Sequence, residues 1–439
     1  MMAAGDGPAP ALTLYEKLVN EEDARICADI SDAACREVPG NFLLILATSV
    51  LTKLGDALAS PKTVLAWITT AVGAPAAVLG MLVPIRESGS LIPQLLIGGY
   101  VRGVAVRKWA WVIGSLVQGV AVLAMAWTAL HLTGAAAGWA LAGLLLLFSL
   151  ARGLCSVAAK DVLGKTIPKG QRGQLTGWSS SAAGLVSIGV GFLLMTIPVA
   201  NLGTGVLVAL LVGAGGLWLV AAALFTGVTE QPGETDGGAS GIRQAVDALG
   251  LLWNDRPFAR FVTARALLMC SALSAPFYVA LAQQQASAGI GTLGAFVVAA
   301  GAASLLSAPV WGRFADRSSR DVMFWAGCLA AAVGAAVFAL ERMLPESLAG
   351  GWPVPLAYFL LSIAHSGVRV GRKTYVVDLA AGNRRTDYVA VSNSVIGTLL
   401  LMVGLMGLLA DRLGADGMIG LLALMGAAGA LATRRLERV

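Results

Sequence analysis

The residues of this chain best suited to chemistry are charged side chains that interrupt apolar runs. In the stretch 82–99, LVPIRESGSLIPQLLIGG, Arg86 and Glu87 stand side by side between two apolar ends. Gly89 and a proline on either side would loosen a helix at this point. Charged residues within membrane helices are costly, and they mark substrate pathways or proton relays. The stretch is therefore either an ordinary surface loop or a charged break inside a membrane helix.

Composition places the chain in a membrane. Of its 439 residues, 57% are hydrophobic and 13% are charged, with a mean hydropathy of +0.77, whereas a soluble domain carries about 25% charged residues. Long apolar runs such as 204–227 and 414–433 predict membrane helices rather than barrel strands. We predict an all-α membrane protein whose partner is the lipid bilayer. The loops explain the net charge of +6, so nucleic-acid binding is not expected.

Metal and catalytic centres are not expected. The chain has two histidines, and its five cysteines form no CxxC pair, so we predict neither a metal site nor a disulfide framework. The GKT sequence at 164–166 resembles part of a phosphate-binding loop, but that motif needs a glycine where this chain has Ala159. With no serine–histidine–aspartate pattern, we predict no cofactor and no enzymatic activity.

Hydropathy predicts twelve membrane helices in two sets of six. The first set covers 42–67, 73–100, 108–131, 138–161, 174–199 and 204–227. The second covers 258–282, 291–313, 321–343, 353–376, 387–410 and 414–433. We therefore divide the chain into a cytoplasmic N-terminal segment, a six-helix bundle, a glycine-rich cytoplasmic linker and a second six-helix bundle, at 1–41, 42–227, 228–257 and 258–435. A short amphipathic helix is expected around 241–254 in the linker.

An internal repeat relates the two sets of helices. At one constant offset along the chain, positions in several loops and helices match, including Gly99 with Gly312 and Ser179 with Ser392. The span 291–313 is uninterrupted, and its counterpart must extend to Gly99. The repeat therefore favours a single membrane helix that contains the charged stretch.

Loop charges predict the topology. Of the 31 lysines and arginines, 24 fall in cytoplasmic segments or at the cytoplasmic ends of the spans if the N-terminus is cytoplasmic, whereas the external loops and external span ends hold only Arg342 and Arg412. This asymmetry follows the positive-inside rule and predicts two cytoplasmic termini. Arginine outnumbers lysine and alanine is abundant, which indicates a GC-rich bacterial genome and an inner-membrane location.

Two six-helix halves, a long central linker and an internal repeat resemble the major facilitator superfamily. The loop GRFADRSSRD at 312–321 is similar to that family's loop motif, with matching residues at Gly312, Asp316, Arg317 and Arg320. The first-half equivalent, GGYVRGVAVRK, has Gly103 where the family carries an acid. The segment ARGLCSVAAKD, with Arg152, resembles the fourth helix of proton-coupled members.

The resemblance implies a transporter in which two bundles rock about a central cavity. It also implies gating residues on the cytoplasmic face. Asp316 is expected near the start of the fifth helix, with Arg172 or Lys160 close by, and Arg317 and Arg320 belong to the same loop. An acid is stabilised at a helix N-terminus, so this contact would favour the state closed to the cytoplasm.

Ionisable residues within the predicted spans are the candidates for substrate binding or coupling, namely Lys53, Asp56, Arg86, Glu87, Arg152 and His365. Asp56, Arg86, Glu87 and Arg152 could instead form a neutral network that only holds the bundle together. Lys53 could form a local ion pair with Asp56. His365 is either a structural histidine or a pH-sensitive one.

Two other cations in the spans, Lys62 and Arg265, are expected to extend to the membrane interface. Without them, three cations still face two acids, which favours an anion slightly. We predict a secondary transporter of a small molecule, with a small preference for anions and with proton coupling. The alternatives are an exporter of amphipathic, drug-like compounds, and a receptor or scaffold that does not transport.

Overall fold

The computed structural model of the chain describes residues 32–92, 97, 101, 103–196, 204–233, 235, 250–284, 289–315, 317–348, 352–379, 384–404 and 408–437. Within these residues every regular element is a helix. The first half contains α1 Asp32–Arg36, α2 Val38–Leu58, α3 Val64–Ala71, α4 Ala76–Leu91, α5 Lys108–His131, α6 Gly134–Thr166, α7 Lys169–Met195 and α8 Thr204–Thr226. The second half contains α9 Leu251–Asn254, α10 Arg256–Leu267, α11 Cys270–Leu273, α12 Ala275–Gln283, α13 Ile290–Ala315, α14 Ser319–Met343, a 3-10 helix Pro345–Leu348, α15 Pro353–Leu379, α16 Arg384–Gly404 and α17 Ala410–Arg434.

The all-helical membrane architecture is confirmed, but the predicted number of spans is not exact. The described part of the chain has 10 helices that are long and apolar enough to cross a bilayer, and Val391–Val403 is a shorter apolar helix. The predicted spans 73–100 and 387–410 correspond to α4 and α16. The helix α4 has only 16 described residues, and α16 begins with the charged sequence RRTD. Residues 241–249 of the expected linker helix lie outside the described residues.

Apolar side chains cover the outer surface of the helices. On α5, Ile113, Val120 and Trp127 are exposed and lie on one face at a regular helical spacing, whereas Val122 and Met125 are buried. An exposed apolar face of this kind would aggregate in water, but it is the surface expected against lipid chains. This face therefore belongs in the bilayer.

Close helix packing within the first half depends on small residues. A Cβ atom on Gly119 of α5 would lie 3.1 Å from the carbonyl oxygen of Gly215 on α8, and the reverse substitution would place one 3.0 Å from the carbonyl oxygen of Gly119. Small residues allow membrane helices to approach this closely. In the N-terminal segment, Cys35 is disulfide-bonded, so a disulfide is present although the cysteine spacing predicted no disulfide framework.

The predicted helices 42–67 and 258–282 are both interrupted. Residues 59–63 separate α2 from α3, because Pro61 has no N–H group and disfavours helical backbone at Ser60. The helix predicted at 258–282 has two breaks, one at 268–269 between α10 and α11 and one at Ser274, two residues before Pro276, between α11 and α12. Pro61 and Ser274 occupy matching positions of the internal repeat, so one break of the second half is equivalent to the break of the first.

The two halves meet along two pairs of helices, α4 with α16 and α7 with α13. In the first pair, Ser88 Oγ donates a hydrogen bond to the carbonyl oxygen of Gly397 at 2.7 Å. In the second, a Cβ on Gly301 would lie 3.5 Å from the carbonyl oxygen of Gly184. Ser88 and Gly301 occupy matching positions of the internal repeat, as do Gly184 and Gly397. The contacts between the halves therefore follow the internal repeat.

The protein has two ends, which we name by their connections. The linker face carries the start of α2, the turn between α6 and α7 and residues 227–233, and Asn41 exchanges hydrogen bonds with the Thr229 backbone there. The opposite face carries residues 72–75, 131–134 and 409–410.

The halves close against each other at the opposite face. Gln283 Nε2 donates to the Trp67 carbonyl oxygen at 3.0 Å, and the Ala76 N–H donates to Asp411 Oδ1 at 3.2 Å. These two hydrogen bonds shut the space between the halves at the opposite face. Toward the linker face, by contrast, Lys160 of α6 and Lys373 of α15 repel each other electrostatically.

Candidate functional site

A cavity lies between the halves at the two equivalent helix interruptions. Its volume is about 200 Å³. Its lining side chains are rich in hydroxyl and cationic groups and comprise Ser60, Lys62, Ser271, Ala275, Ala300, Ser304, Tyr358, Leu361, Ser362, His365, Ser366 and Arg369. Interrupted helices at equivalent points of two repeats are the arrangement that membrane transporters use for a binding site. The cavity is therefore the candidate binding site.

Lys62 and His365 join the two halves within this cavity. Lys62 Nζ lies 2.9 Å from His365 Nε2. His365 Nδ1 lies 3.1 Å from Ser271 Oγ, which donates to the carbonyl oxygen of Leu268 at 3.1 Å. The expectation that Lys62 extends to the membrane interface is wrong, because the break at Pro61 turns this side chain inward.

Arg369 and Arg372 are site residues that the sequence analysis missed. Arg369 lines the cavity, and both arginines interact electrostatically with Lys62 and Glu87. Residues four and seven positions after His365 share its helix face, so the spacing H-x₃-R-x₂-R was an available signal. Their position near the polar end of the predicted span 353–376 grouped both with the cytoplasmic charges instead.

Arg86 and Glu87 are neighbours in α4 but interact with different groups. Arg86 contacts residues of its own half, whereas Glu87 interacts electrostatically with Lys62, Arg369 and Arg372 as well as with Arg86. Within the described residues, the Glu87 carboxylate has no hydrogen bond or ion pair. Glu87 is thus an acid that faces the cations of the other half without a fixed partner.

Asp56 is the centre of a network inside the first half. Its Oδ1 accepts a hydrogen bond from Arg86 Nη2 at 3.0 Å, and its Oδ2 lies 2.5 Å from Arg152 Nη2. The guanidinium of Arg86 also lies over the ring of Phe148 at 5.0 Å. These contacts join α2, α4 and α6. The structure therefore brings three predicted site residues together around one carboxylate.

Lys53 and Arg265 donate hydrogen bonds to side chains of serine-rich helices. Lys53 Nζ donates to Ser179 Oγ at 2.6 Å and to Ser180 Oγ at 2.7 Å. Arg265 is buried, and its Nη1 and Nη2 donate to Ser392 Oγ at 2.5 Å and Asn393 Oδ1 at 2.8 Å. The expectation that Arg265 extends to the membrane interface is wrong.

The structure describes three of the four predicted gating residues. Asp316 lies outside the described residues. Arg172 donates to the carbonyl oxygens of Ile167 at 2.8 Å and Gly164 at 2.7 Å, which belong to the end of α6 and the turn that follows it. Arg320 pairs with its neighbour Asp321 at 3.1 Å, and Arg317 is exposed. These three arginines are thus at the linker face.

In the first half, the acid at the linker face comes from the linker. Gly103 stands where the family carries an acid, and Glu230, whose side chain is fully buried, binds Lys165 Nζ at 2.9 Å. Glu230 Oε2 also accepts from the backbone N–H of Lys108 at 2.6 Å, at the start of α5, where an acid is favourable. Sequence analysis missed this residue because it lies in the linker, beyond the six-helix bundle.

Cations exceed acids around the cavity. Among the described residues, Asp56 is paired with two arginines, whereas Glu87 faces Lys62, Arg369 and Arg372. The cavity can therefore hold an added negative charge and can hydrogen-bond it through several hydroxyl groups. In the part of the chain that the structure describes, no group of three or more His, Cys, Asp or Glu residues could hold a metal ion.

The family model of the Major Facilitator Superfamily matches residues 45–405. This chain therefore belongs to the major facilitator superfamily and is an integral membrane transporter of small molecules, not an enzyme. A search of curated proteins finds no significant match.

Solved transporter structures share this fold. The inward-open xylose transporter XylE from E. coli is 13% identical, with a TM-score of 0.67, over 92% of this chain and 97% of that chain. The nucleoside transporter NupG, solved as a mutant, is 14% identical, with a TM-score of 0.69, over 90% and 100%. A POT family transporter in complex with 5-aminolevulinic acid is 10% identical, with a TM-score of 0.67, over 89% and 94%. At these identities the likeness establishes the fold alone.

Proposed function

We propose that the protein is a proton-coupled secondary transporter of a small anion. The observation that carries this proposal is the cavity between the halves, where Lys62 of one half and His365 and Arg369 of the other face the same space. A group bound there contacts both halves, so its binding energy can act on their relative position. We place the protein in a bacterial inner membrane with both termini in the cytoplasm, as the loop charges indicate.

The charge of the cavity supports an anionic substrate. Glu87 is outnumbered by Lys62, Arg369 and Arg372, and a low-dielectric surrounding strengthens the attraction for a carboxylate or a phosphate group. The serine hydroxyls and Tyr358 suit further polar groups on the same molecule. An exporter of amphipathic, drug-like compounds would need a largely apolar cavity without fixed cations, so Lys62, His365 and Arg369 in the lining argue against that alternative.

Three titratable groups are candidates for the coupled proton. Asp56, with its ion pairs to Arg86 and Arg152, is tied to the packing of the first half. Glu87 has no such partner among the described residues and faces the cations of the second half, so of the two acids it is the better placed to exchange a proton. His365 contacts Lys62 directly. Lys53 contributes by holding α7 against α2.

During alternating access, the opposite face would open and the linker face would close. The contacts Ser88–Gly397 and Gly301–Gly184 lie between the moving halves. In the alternative state, Asp316 would approach the start of α7 and Arg172, with Arg317 and Arg320 in the same loop. That contact would favour the state closed at the linker face.

A ligand screen followed by a flux assay tests the proposal. Purified protein is heated with libraries of carboxylates, phosphates, sugars and amphipathic cations, and the compounds that raise its melting temperature are identified. We expect anions among them, and we expect a radiolabelled hit to accumulate in proteoliposomes under a proton gradient. Stabilisation by amphipathic cations alone would favour the exporter. Binding of an anion without any flux would favour a receptor or scaffold.

A further inference from the structure

The hydrogen bond between Lys62 and His365 joins the two halves at a titratable group. Lys62 lies in the interruption between α2 and α3, and His365 lies on α15. The two nitrogen atoms are 2.9 Å apart. Trp67, which accepts the closing hydrogen bond from Gln283, lies in the first turn of α3, shortly after Lys62. Lys62 is therefore close along the chain to a hydrogen bond that closes the opposite face.

The donors and acceptors around Lys62 and His365 indicate where the protons of this contact lie. If Lys62 is charged, its ammonium group has three donors and no acceptor, so His365 Nε2 accepts from Lys62 and carries no proton. The proton of the neutral imidazole is then on Nδ1, which donates to Ser271 Oγ. The Ser271 hydroxyl donates in turn to the carbonyl oxygen of Leu268. Every donor in this chain of hydrogen bonds has an acceptor, and His365 is neutral.

Protonation of His365 is incompatible with this arrangement. An imidazolium donates from both nitrogens, so Nε2 would no longer accept from Lys62 and two cations would stand at hydrogen-bond distance. Arg369 and Arg372 on α15 interact electrostatically with His365 and add to the repulsion. The uncharged side chains around His365 include Ser271 of α11, Ser304 of α13 and Tyr358 of α15. Glu87 of α4 is the acid that faces Lys62.

We propose that His365 is a proton-binding site that releases the two halves from each other at the opposite face. Neutral His365 holds Lys62 and keeps that face closed, whereas protonated His365 repels Lys62 and favours its opening. The separated cations would then present a site for one carboxylate or phosphate group of the substrate. This inference rests on the proposed function, because it supplies the step by which a proton changes the conformation of an anion transporter.

Nuclear magnetic resonance of histidine tests the assignment of the protons. The chain contains two histidines, His131 and His365, so His131→Gln leaves a single reporter. His131 is exposed and contacts the Trp127 carbonyl oxygen, away from the cavity. With ¹⁵N-labelled histidine at pH 8, we expect the Nδ1–H tautomer of neutral His365. The Nε2–H tautomer would overturn the proposal, because it would require Lys62 to be a neutral acceptor.

Distances between spin labels test the coupling to conformation. Thr133→Cys and Ser347→Cys place labels on the two halves at the opposite face, with Cys328, a partly buried free thiol, replaced by serine. We expect the label distance to lengthen as the pH is lowered from about 8 to about 4.5 in the parent protein, because burial and the neighbouring cations oppose protonation of His365. His365→Asn and Lys62→Met should each lose this response, whereas His131→Gln should retain it.

The outcomes separate this inference from the proposed function. An unchanged distance in the parent protein, or an equal pH response in His365→Asn, would overturn the proton switch even if anions are transported. The spin-label experiment contains no substrate, so an intact switch together with an absence of anion flux would refute the proposed function alone. His365→Gln is a second neutral variant for the case in which the asparagine variant fails to fold.

Discussion

Lys53 and Arg265 make the same contact in the two halves of the protein. Lys53 donates to Ser179 Oγ at 2.6 Å, and Arg265 donates to Ser392 Oγ at 2.5 Å. The two serines occupy matching positions of the internal repeat, and Arg265 stands immediately before the position that matches Lys53. Each contact holds the first long helix of a half against the serine-rich helix α7 or α16. The repeat thus preserves a pairing of helices although the cation differs.

Loss of Arg265 is expected to destabilise the protein more than loss of Lys53. Arg265 is 6% exposed and Lys53 is only partly buried, and a hydrogen bond to a charged group contributes about 1.5–3 kcal/mol. Arg265→Met should therefore lower the melting temperature in detergent clearly, and Lys53→Met should lower it less. Equal melting temperatures for Arg265→Met and the parent would contradict the buried contact.

Asp56→Asn is expected to destabilise the first half strongly. A hydrogen bond to a charged group contributes about 1.5–3 kcal/mol, and the partly buried Arg86 and Arg152 would both lose their partner. Thermal unfolding measures the loss. The double variant Asp56→Asn, Arg152→Gln should recover part of it. A double variant no more stable than the single one would show that the ion pair is not the cause.

Glu87→Gln is expected to abolish transport driven by a pH gradient if Glu87 carries the coupled proton. The Glu87 carboxylate makes no hydrogen bond or ion pair within the described residues but faces Lys62, Arg369 and Arg372, so the variant removes an attraction to three cations without breaking a direct contact. If Glu87 carries the proton, exchange of labelled for unlabelled substrate should continue in proteoliposomes. Normal accumulation of substrate under a proton gradient would exclude Glu87 as the coupling acid and leave Asp56 and His365.

Arg369→Ala is expected to weaken the binding of an anionic substrate. A charged hydrogen bond of about 1.5–3 kcal/mol corresponds to roughly a 10- to 150-fold change in the dissociation constant. Isothermal calorimetry with an anion from the screen measures this change. Arg342→Ala is the matched control, because Arg342 is exposed and pairs with Asp416 near the opposite face. Equal affinities for the two variants would place the anion elsewhere.

Glu230→Gln is expected to loosen the linker face of the first half. The buried carboxylate binds Lys165 and the N-terminus of α5, and loss of its charge leaves the partly buried Lys165 without its acid. A destabilisation of about 1.5–3 kcal/mol follows, as for the loss of a charged hydrogen bond. The melting temperature reports the effect, with Glu437→Gln as the control because Glu437 is an exposed acid. A parent-like Glu230→Gln protein would show that the contact is dispensable.

The sequence by itself determined the features that depend on local composition and on the repeat. Apolar runs show that the chain spans a membrane, and the constant offset between the two halves indicated that Arg86 and Glu87 belong to a helix, where the structure has them in α4. Pro61 also marks the break before Lys62, although hydropathy predicted one continuous helix over 42–67. These signals are local because backbone hydrogen bonding and hydropathy depend on neighbours along the chain.

Only the tertiary structure decided which charged groups meet. Lys62 and His365 lie in opposite halves of the chain, and Lys165 and Glu230 are separated by two membrane helices. An ionisable side chain in a membrane needs a partner, but its identity depends on how helices pack and which faces they turn to one another. Arg265 is the clearest case. Its distance from a helix end indicated the membrane interface, whereas the packing of α10 against α16 buries it against Ser392 and Asn393, because long-range packing and not sequence distance sets its surroundings.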